Sequence, residues 1–185
     1  MKKLWLLVTL IAPLAFAGQK VQMETNHGTI VVELAPKQAP QTVKNFLRYV
    51  ADGSYDGSLF HRVIQNFVVQ GGGYNQQFQP LPTFDPVVNE SRGGLPNKRG
   101  TIAMARTQAV DSATRQFYFN LVDNDNLNAN ANAGAGYTVF GQVVKGMEVL
   151  DKLAQVQTGY SSILRANDVP TSPIILKKVV LLADK

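Results

Sequence analysis

Residues 60–73 read FHRVIQNFVVQGGG, a strongly apolar stretch that nevertheless contains Arg62 and Gln70. A polar pair in the middle interrupts it, which predicts two short β-strands joined by a tight turn. Side chains alternate between the two faces of a strand. The pattern therefore predicts that Phe60 and Arg62 share a face of the first strand, and that Val68 and Gln70 share a face of the second.

Arg62 is the residue of this stretch that most needs an explanation. A guanidinium set among aromatic and aliphatic side chains is costly to desolvate unless it has a partner or a ligand. Alternatively, an arginine on an edge strand reaches water along its aliphatic stem. The residue pattern alone leaves a functional and a structural role for Arg62 equally open.

Strand-length apolar runs bounded by Gly, Asn, Asp or Pro recur on both sides of this stretch. Residues 21–34 predict a β-hairpin that turns at Asn26-His27-Gly28, where the glycine permits a positive φ. About eight strands result, at spacings too short for parallel crossovers, so we predict a mainly β fold whose antiparallel sheet closes on itself. The strands outside the hairpin are predicted over residues 59–64, 67–70, 100–105, 116–121, 137–144 and 173–182.

Two segments follow a helical period instead. Between Pro40 and Gly53, apolar residues recur at the i, i+3, i+4, i+7 spacing of an amphipathic helix. A second helix is predicted over residues 147–156. Residues 124–136 are rich in Asn, Ala and Gly and predict a long surface loop. Two helices and one long loop are therefore expected among the strands of a single domain.

The first 17 residues differ from the rest of the chain. Lys2 and Lys3 precede an apolar run over residues 4–14, and Ala15-Phe16-Ala17 then matches the small-x-small pattern that signal peptidase cleaves. The run is too short to span a bilayer comfortably. We expect residues 1–17 to be a cleavable signal peptide and residues 18–185 to form the mature domain, exported to the periplasm without a membrane anchor.

The composition excludes several classes of chemistry. The chain has 185 residues, 45% of them hydrophobic, and no cysteine, so disulfides, thiol nucleophiles and thiolate metal sites are excluded. Without Lys2 and Lys3, 16 basic residues stand against 13 acidic ones, an ordinary net charge of about +3. No run of Lys and Arg interleaved with aromatic residues predicts a nucleic-acid partner.

Residues 60–64 and 67–72 resemble the central motif of the cyclophilins, a family of peptidyl-prolyl cis-trans isomerases. Three further stretches are similar to family motifs and occur in the family's order: RGTIAMA at 99–105, DSATRQF at 111–117 and FGQVVKGM at 140–147. The resemblance extends from about residue 21 to 182 and is greatest to periplasmic cyclophilins of bacteria with an outer membrane. It implies a closed eight-stranded antiparallel barrel capped by two α-helices, with the site on its outer surface.

The resemblance also implies roles for individual side chains. Arg62 matches the catalytic residue, and Gln70 matches its polar partner. Phe67, Val68 and Tyr118 match positions that form the pocket for the substrate proline ring. The other implied positions line or border the peptide groove: His61, Ala105, Arg106, Gln116, Leu127 and Tyr137.

These residue types suit the isomerisation of X–Pro bonds in unfolded exported proteins. Rotation about a peptide bond has a barrier of about 18–20 kcal/mol, because resonance is lost in the twisted state. The proline nitrogen then regains its lone pair, so an arginine N–H can bind the twisted amide better than the planar one. No bond is broken, and the reaction therefore requires no nucleophile, metal or cofactor.

The same groove would also suit a module that binds proline-containing peptides, or a chaperone, with turnover incidental. Arg62 favours catalysis, since a group that acts on the twisted amide is of no use to a pure binder. An exported hydrolase is a weaker alternative, because the chain lacks a Gly-x-Ser-x-Gly elbow. Its serine candidates beside His61 would be Ser54, Ser58 and Ser112. A calcium loop starting at Asp123 is also disfavoured, because Gly134 occupies the position that needs a bidentate Glu.

The chain departs from the family pattern at positions that bear on ligands. Many members carry Trp or Phe where this chain has Asn126, and that aromatic residue supports tight cyclosporin binding. We therefore expect cyclosporin to bind weakly. Arg106 stands where Asn is common, and Tyr118 stands where Phe is common. Nothing in the sequence indicates an obligate dimer, so a monomer is expected.

Overall fold

The computed structural model describes residues 18–130 and 134–183. The predicted signal peptide, residues 1–17, lies outside the described residues, as do residues 131–133 of the predicted surface loop. The elements in the described part are β1 (Lys20–Thr25), β2 (Gly28–Leu34), α1 (Pro40–Ala51), β3 (Ser58–Ile64), β4 (Val68–Gly71), β5 (Thr101–Met104), β6 (Phe117–Asn120), a 3₁₀ turn (Asp125–Leu127), β7 (Val139–Lys145), α2 (Met147–Leu153), β8 (Thr158–Ser161), β9 (Ala166–Pro170) and β10 (Ile174–Leu181).

Eight of these strands close into a barrel in the order β1-β10-β3-β4-β6-β5-β7-β2, and their neighbours pair antiparallel. Closure satisfies both edges of every barrel strand, which a sheet of such short strands needs. The predicted closed eight-stranded antiparallel barrel with two helices is confirmed. Within the described ranges, no helix is both long and apolar enough to cross a membrane.

The strands β8 and β9 form a separate two-stranded hairpin that the sequence pattern did not predict. Its residues are mostly exposed or half-buried, with only Val169 and Pro170 buried, so no alternation of apolar and polar residues marks it. Arg165 and Asp168 adopt positive φ values of 51° and 63°, which a strand prediction does not anticipate. The hairpin is defined by backbone pairing and not by a buried face.

Both helices start where predicted. Pro40 opens α1, and the carboxylate of Glu90 accepts hydrogen bonds from the backbone N–H groups of Gln41 and Thr42 at 3.1 and 2.9 Å. This carboxylate satisfies helix donors that have no partner within α1. The second helix ends at Leu153 and not at Val156, because the chain tightens there into turns with i→i−3 hydrogen bonds.

Barrel strands direct alternate residues to opposite sides. On β6, Phe117 and Phe119 belong to the main core, where Phe117 also meets Phe46 of α1 edge-on at 6.0 Å. Tyr118 between them belongs to a smaller apolar cluster outside the barrel. The buried members of this outer cluster are Val68, Ala103, Tyr118 and Val139. One sheet therefore forms a core on its inner face and an apolar depression on its outer face.

The prediction that Phe60 and Arg62 share a face is wrong. Phe60 pairs with Gly71 and Arg62 with Gln70, so His61 is an extra residue on β3, a β-bulge. The bulge reverses the alternation locally. Phe60 packs in the main core, whereas Arg62 lines an outer cavity. The prediction failed because side chains alternate regularly between the two faces only where the strand has no bulge.

Candidate active site

An open cavity of about 180 Å³ lies on the outer face of the barrel, over the outer cluster. It brings together nine of the residues that the sequence assigned to a site, from three barrel strands and the connecting segments beside them. The lining consists of Arg62, Phe67, Val68, Gln70, Ala105, Arg106, Tyr118, Leu127 and Tyr137.

Arg62 is the polar group at one side of this cavity, and it is half-buried. Its Nη1 lies 3.4 Å from Oε1 of Gln70, and Nε2 of Gln70 donates to Oε1 of Gln116 at 3.0 Å. Within residues 18–130 and 134–183, no carboxylate lies within salt-bridge distance of Arg62. The guanidinium is therefore oriented by a neutral amide chain and keeps N–H donors for a ligand.

The opposite side of the cavity is apolar. Phe67 immediately precedes β4, Val68 starts it, and Leu127 ends the 3₁₀ turn. The rings of Tyr118 and Tyr137 meet edge-on with centroids 5.9 Å apart. Burial raises the pKa of Tyr118, and its hydroxyl donates to Oδ1 of Asn97 at 2.8 Å. Both phenol rings therefore present apolar surface to the cavity.

Arg106 closes the cavity between two loops. Its guanidinium carbon lies 4.7 Å from the centroid of the Tyr137 ring. Its Nε and Nη2 donate to the carbonyl oxygens of Gly136 and Ala135 at 3.1 and 2.8 Å, and its Nη1 donates to that of Thr107 at 2.9 Å. The predicted groove position of Arg106 is thus occupied by a side chain that binds backbone and adds positive charge.

A second cavity, of about 160 Å³, adjoins the first and shares Gln70, Ala105 and Arg106 with it. Gln116, the remaining predicted groove residue apart from His61, lies here. Three polar residues that the sequence analysis did not assign to the groove complete the lining: Thr107, Ser112 and Thr114. Ser112 and Thr114 lie within the motif at residues 111–117, and Thr107 closely follows the motif at residues 99–105. Their closeness to these motifs is the sequence signal that could have identified them as groove residues.

The family assignment follows from comparison with known proteins. The family model of the cyclophilin type peptidyl-prolyl cis-trans isomerases matches residues 20–181, nearly the whole described chain. The chain belongs to the cyclophilin family. This protein is therefore a peptidyl-prolyl cis-trans isomerase.

Individual relatives agree with this assignment. Peptidyl-prolyl cis-trans isomerase B of Escherichia coli is 48% identical over 163 residues, which cover 87% of this chain and 98% of the relative. An isomerase of Acinetobacter baylyi is 48% identical over 165 residues, covering 89% and 86%. A crystal structure of a Cryptosporidium parvum cyclophilin, determined in the presence of the dipeptide Ala-Pro, is similar with a TM-score of 0.70 and 27% identity, covering 90% and 100%.

His61 lines neither cavity of this cyclophilin. It is buried, its ring meets Tyr74 edge-on at 4.7 Å, and its Nδ1 has no hydrogen-bond partner. Burial and, to a lesser extent, the positive charge of Arg62 lower the pKa of His61 to about 4. The structure thus places His61 behind the groove as a neutral imidazole, not at its border.

The alternative chemistries do not assemble in the described residues. The hydroxyl protons of Ser54, Ser58 and Ser112 go to the backbone carbonyls of Tyr49, Tyr55 and Ala109. None of them bonds to His61, so no serine–histidine pair forms there. Asp123 and Asp125 instead form ion pairs with Lys98 at 3.2 and 2.8 Å.

The lowered pKa of His61 predicts that stability falls as the pH drops from 6.5 to about 4. In that range the unfolded chain binds a proton at His61 and the folded chain does not, so the free energy of unfolding rises with pH. The pKa difference corresponds to about 3 kcal/mol. Urea unfolding at a series of pH values measures this change. A His61→Gln variant should lack this part of the pH dependence, and identical profiles for the two proteins would refute the assignment.

Proposed function

We propose that this cyclophilin binds X–Pro segments across the outer cavity and that Arg62 stabilises the twisted amide. The observation that supports this most directly is the position of Arg62. Its half-buried guanidinium borders an apolar pocket, has no carboxylate partner in the described chain, and is oriented by Gln70. Partial burial of a cation without an anion costs free energy, which a ligand that uses its donors would offset.

The proline ring of the substrate would occupy the apolar side of the cavity. Phe67, Val68 and Leu127 offer aliphatic and aromatic surface there, and the Tyr118 hydroxyl is already bonded to Asn97. Burial of the ring holds one side of the X–Pro bond still while the preceding carbonyl rotates. The binding energy of the ring is then available equally to the cis and trans forms.

Catalysis would come from the difference between the planar and the twisted amide. The planar amide nitrogen shares its lone pair with the carbonyl and is a poor acceptor, whereas the twisted nitrogen is a good one. An N–H of Arg62 gains this hydrogen bond only as the bond twists, so the barrier falls. Gln70 and Gln116 hold the guanidinium in place before the reaction, and preorganised donors of this kind lower barriers most effectively.

Binding of proline-containing peptides without useful turnover is the second candidate function. The neutral amide chain from Gln116 through Gln70 to Arg62 favours catalysis, because it orients a donor without consuming its charge. A pure binding groove would need only the apolar side of the cavity. The two functions differ in what the loss of Arg62 should do.

An Arg62→Ala variant should lose catalysis and keep binding. We expect kcat for an X–Pro tetrapeptide to fall by about a hundredfold or more, as for loss of a single transition-state donor. The affinity for the peptide, measured by calorimetry, should change by less than about threefold. Arg165→Ala, in the exposed β8–β9 hairpin, is the matched control and should behave as wild type. Equal losses of binding and turnover in Arg62→Ala would contradict a role confined to the twisted state.

We propose that the protein is exported to the periplasm, where it acts as a monomer on newly translocated chains. The basic start, short apolar run and Ala15-Phe16-Ala17 pattern support this proposal. N-terminal sequencing of the protein recovered from its own cells should begin at Gly18. A protein that starts at Met1 and fractionates with the cytoplasm would exclude export.

Cyclosporin should inhibit this protein weakly. Asn126 is exposed in the 3₁₀ turn beside Leu127 of the cavity, so it supplies a small polar side chain where an aromatic ring would extend the apolar surface. An Asn126→Trp variant should lower the cyclosporin concentration for half-inhibition by about tenfold. Asn167→Trp, at an exposed position of β9 that does not line the cavity, is the control. Strong inhibition of the unmodified protein would contradict this expectation.

A further inference from the structure

The apolar side of the cavity is assembled from segments far apart in the chain. Phe67 precedes β4, Tyr118 lies on β6, Leu127 ends the 3₁₀ turn and Tyr137 precedes β7. Leu127 and Tyr137 lie outside the sheet ladders, and one backbone hydrogen bond joins them, from the N–H of Tyr137 to the carbonyl oxygen of Leu127 at 2.9 Å. The position of this pair relative to Tyr118 decides how well a proline ring fits, and strand pairing does not set it.

Asn97 lies behind these residues and is fully buried. Its Oδ1 accepts the hydrogen bond from the Tyr118 hydroxyl at 2.8 Å. Its Nδ2 lies within hydrogen-bond distance of the carbonyl oxygens of Leu127 and Tyr137, at 3.2 and 3.3 Å. One side chain thus contacts three of the residues that line the cavity, and it reaches them across 21, 30 and 40 positions of sequence.

Two further asparagines extend this network to the fourth segment. Nδ2 of Asn120 donates to Oδ1 of Asn97 at 3.2 Å and to Oγ1 of Thr101 at 2.9 Å. Nδ2 of Asn124 donates to Oδ1 of Asn120 at 2.8 Å and to the carbonyl oxygen of Phe67 at 3.1 Å. The chain Asn97–Asn120–Asn124 therefore runs behind the cavity and touches all four segments.

The orientation of Asn97 within this network is determined by its neighbours. Its oxygen faces only donors, a hydroxyl and an amide, and its nitrogen faces only acceptors, two backbone carbonyl oxygens and Oδ1 of Asn128 at 3.1 Å. A buried network with every member satisfied is rigid, and the loss of one member leaves its partners unpaired. Among uncharged side chains, only asparagine and glutamine carry both an acceptor and a two-proton donor, and the glutamine side chain is longer.

We propose that Asn97 is a positioning residue for substrate binding, which sets the distances of Leu127 and Tyr137 from Tyr118. This inference rests on the proposed location of the proline pocket. Asn97 does not line the cavity and acts only through residues that do. The hydroxyl of Tyr118 belongs to the same hydrogen-bond network, because a phenylalanine at this position would leave Oδ1 of Asn97 without one of its hydrogen bonds.

The prediction is a change in KM with little change in kcat, because a misplaced pocket weakens binding of the ring in all its states. For an X–Pro tetrapeptide, Asn97→Ala should raise KM by about tenfold and change kcat by less than about threefold. Asn97→Asp keeps the acceptor for Tyr118 and loses the donor to Leu127 and Tyr137, and should raise KM similarly. Tyr118→Phe should raise KM by about two- to threefold, and should add nothing in the Asn97→Ala background.

The matched control is Thr25→Ala, which removes another buried hydrogen-bonding side chain, in the hairpin between β1 and β2. All variants are compared by urea unfolding and assayed where they are fully folded. Thr25→Ala should lose stability with an unchanged KM. Asn97 variants that also lose stability with an unchanged KM would overturn the proposal. If neither Asn97 variant folds, Tyr118→Phe decides by the same readout: a raised KM supports the proposal, and an unchanged KM refutes it.

A failure of the proposed pocket itself would look different. If Arg62→Ala and Phe67→Ala both retain full turnover and affinity, the groove lies elsewhere and the role of Asn97 fails with it. If those two variants lose function while the Asn97 variants keep a normal KM, the pocket stands and only the positioning role is rejected. Amide NMR signals of Leu127 and Tyr137 should shift in Asn97→Asp and remain unchanged in Thr25→Ala.

Discussion

Phe60 and Arg62 lie two residues apart on β3, yet one packs in the core and the other faces the outer cavity, because His61 forms a β-bulge between them. On a regular strand both would share a face, so either a charge would enter the core or a phenyl ring would leave it. The bulge also brings Arg62 opposite Gln70 in the ladder. The bulge leaves His61 as a buried imidazole whose Nδ1 has no hydrogen-bond partner, and this lowers stability.

Because the barrel is closed, its strands direct some side chains into the core and others onto the outer surface. Val69 on β4 fills the core, while Val68 and Gln70 face the outer cavity, and Tyr118 stands outward between two core phenylalanines on β6. The proposed catalytic group and the strand residues of the proposed proline pocket, Val68 and Tyr118, therefore rest on paired strands of one sheet. Two neutral amide networks support them: Gln70 and Gln116 orient the guanidinium, and the asparagines behind the cavity hold its apolar side. Neither network places a carboxylate beside Arg62.

Local pattern and motif resemblance were enough to predict the barrel, its helices and the residues of the cavity. Strand-length apolar runs such as residues 116–121 mark a buried sheet, and Pro40 marks a helix start that the structure retains. The bulge at His61 was missed because it is a property of strand pairing, which alternation along one strand cannot reveal. Strands β8 and β9 have no apolar face to predict them. Asn97 was not identified from the sequence, because its partners lie 21 to 40 residues away and two of them are backbone carbonyls.

Bound X–Pro segments should interconvert within the cavity beside Arg62. Two-dimensional exchange NMR on the protein with an excess of an Ala-Pro peptide tests this most directly, since it reports both the site of binding and the rate of interconversion on the protein. Chemical-shift changes should concentrate at Phe67, Tyr118 and Leu127, and the cis and trans signals should exchange far faster than the roughly tens to hundreds of seconds of the free peptide. Peptide binding at this cavity without accelerated exchange, or accelerated exchange with shift changes elsewhere, would contradict interconversion beside Arg62.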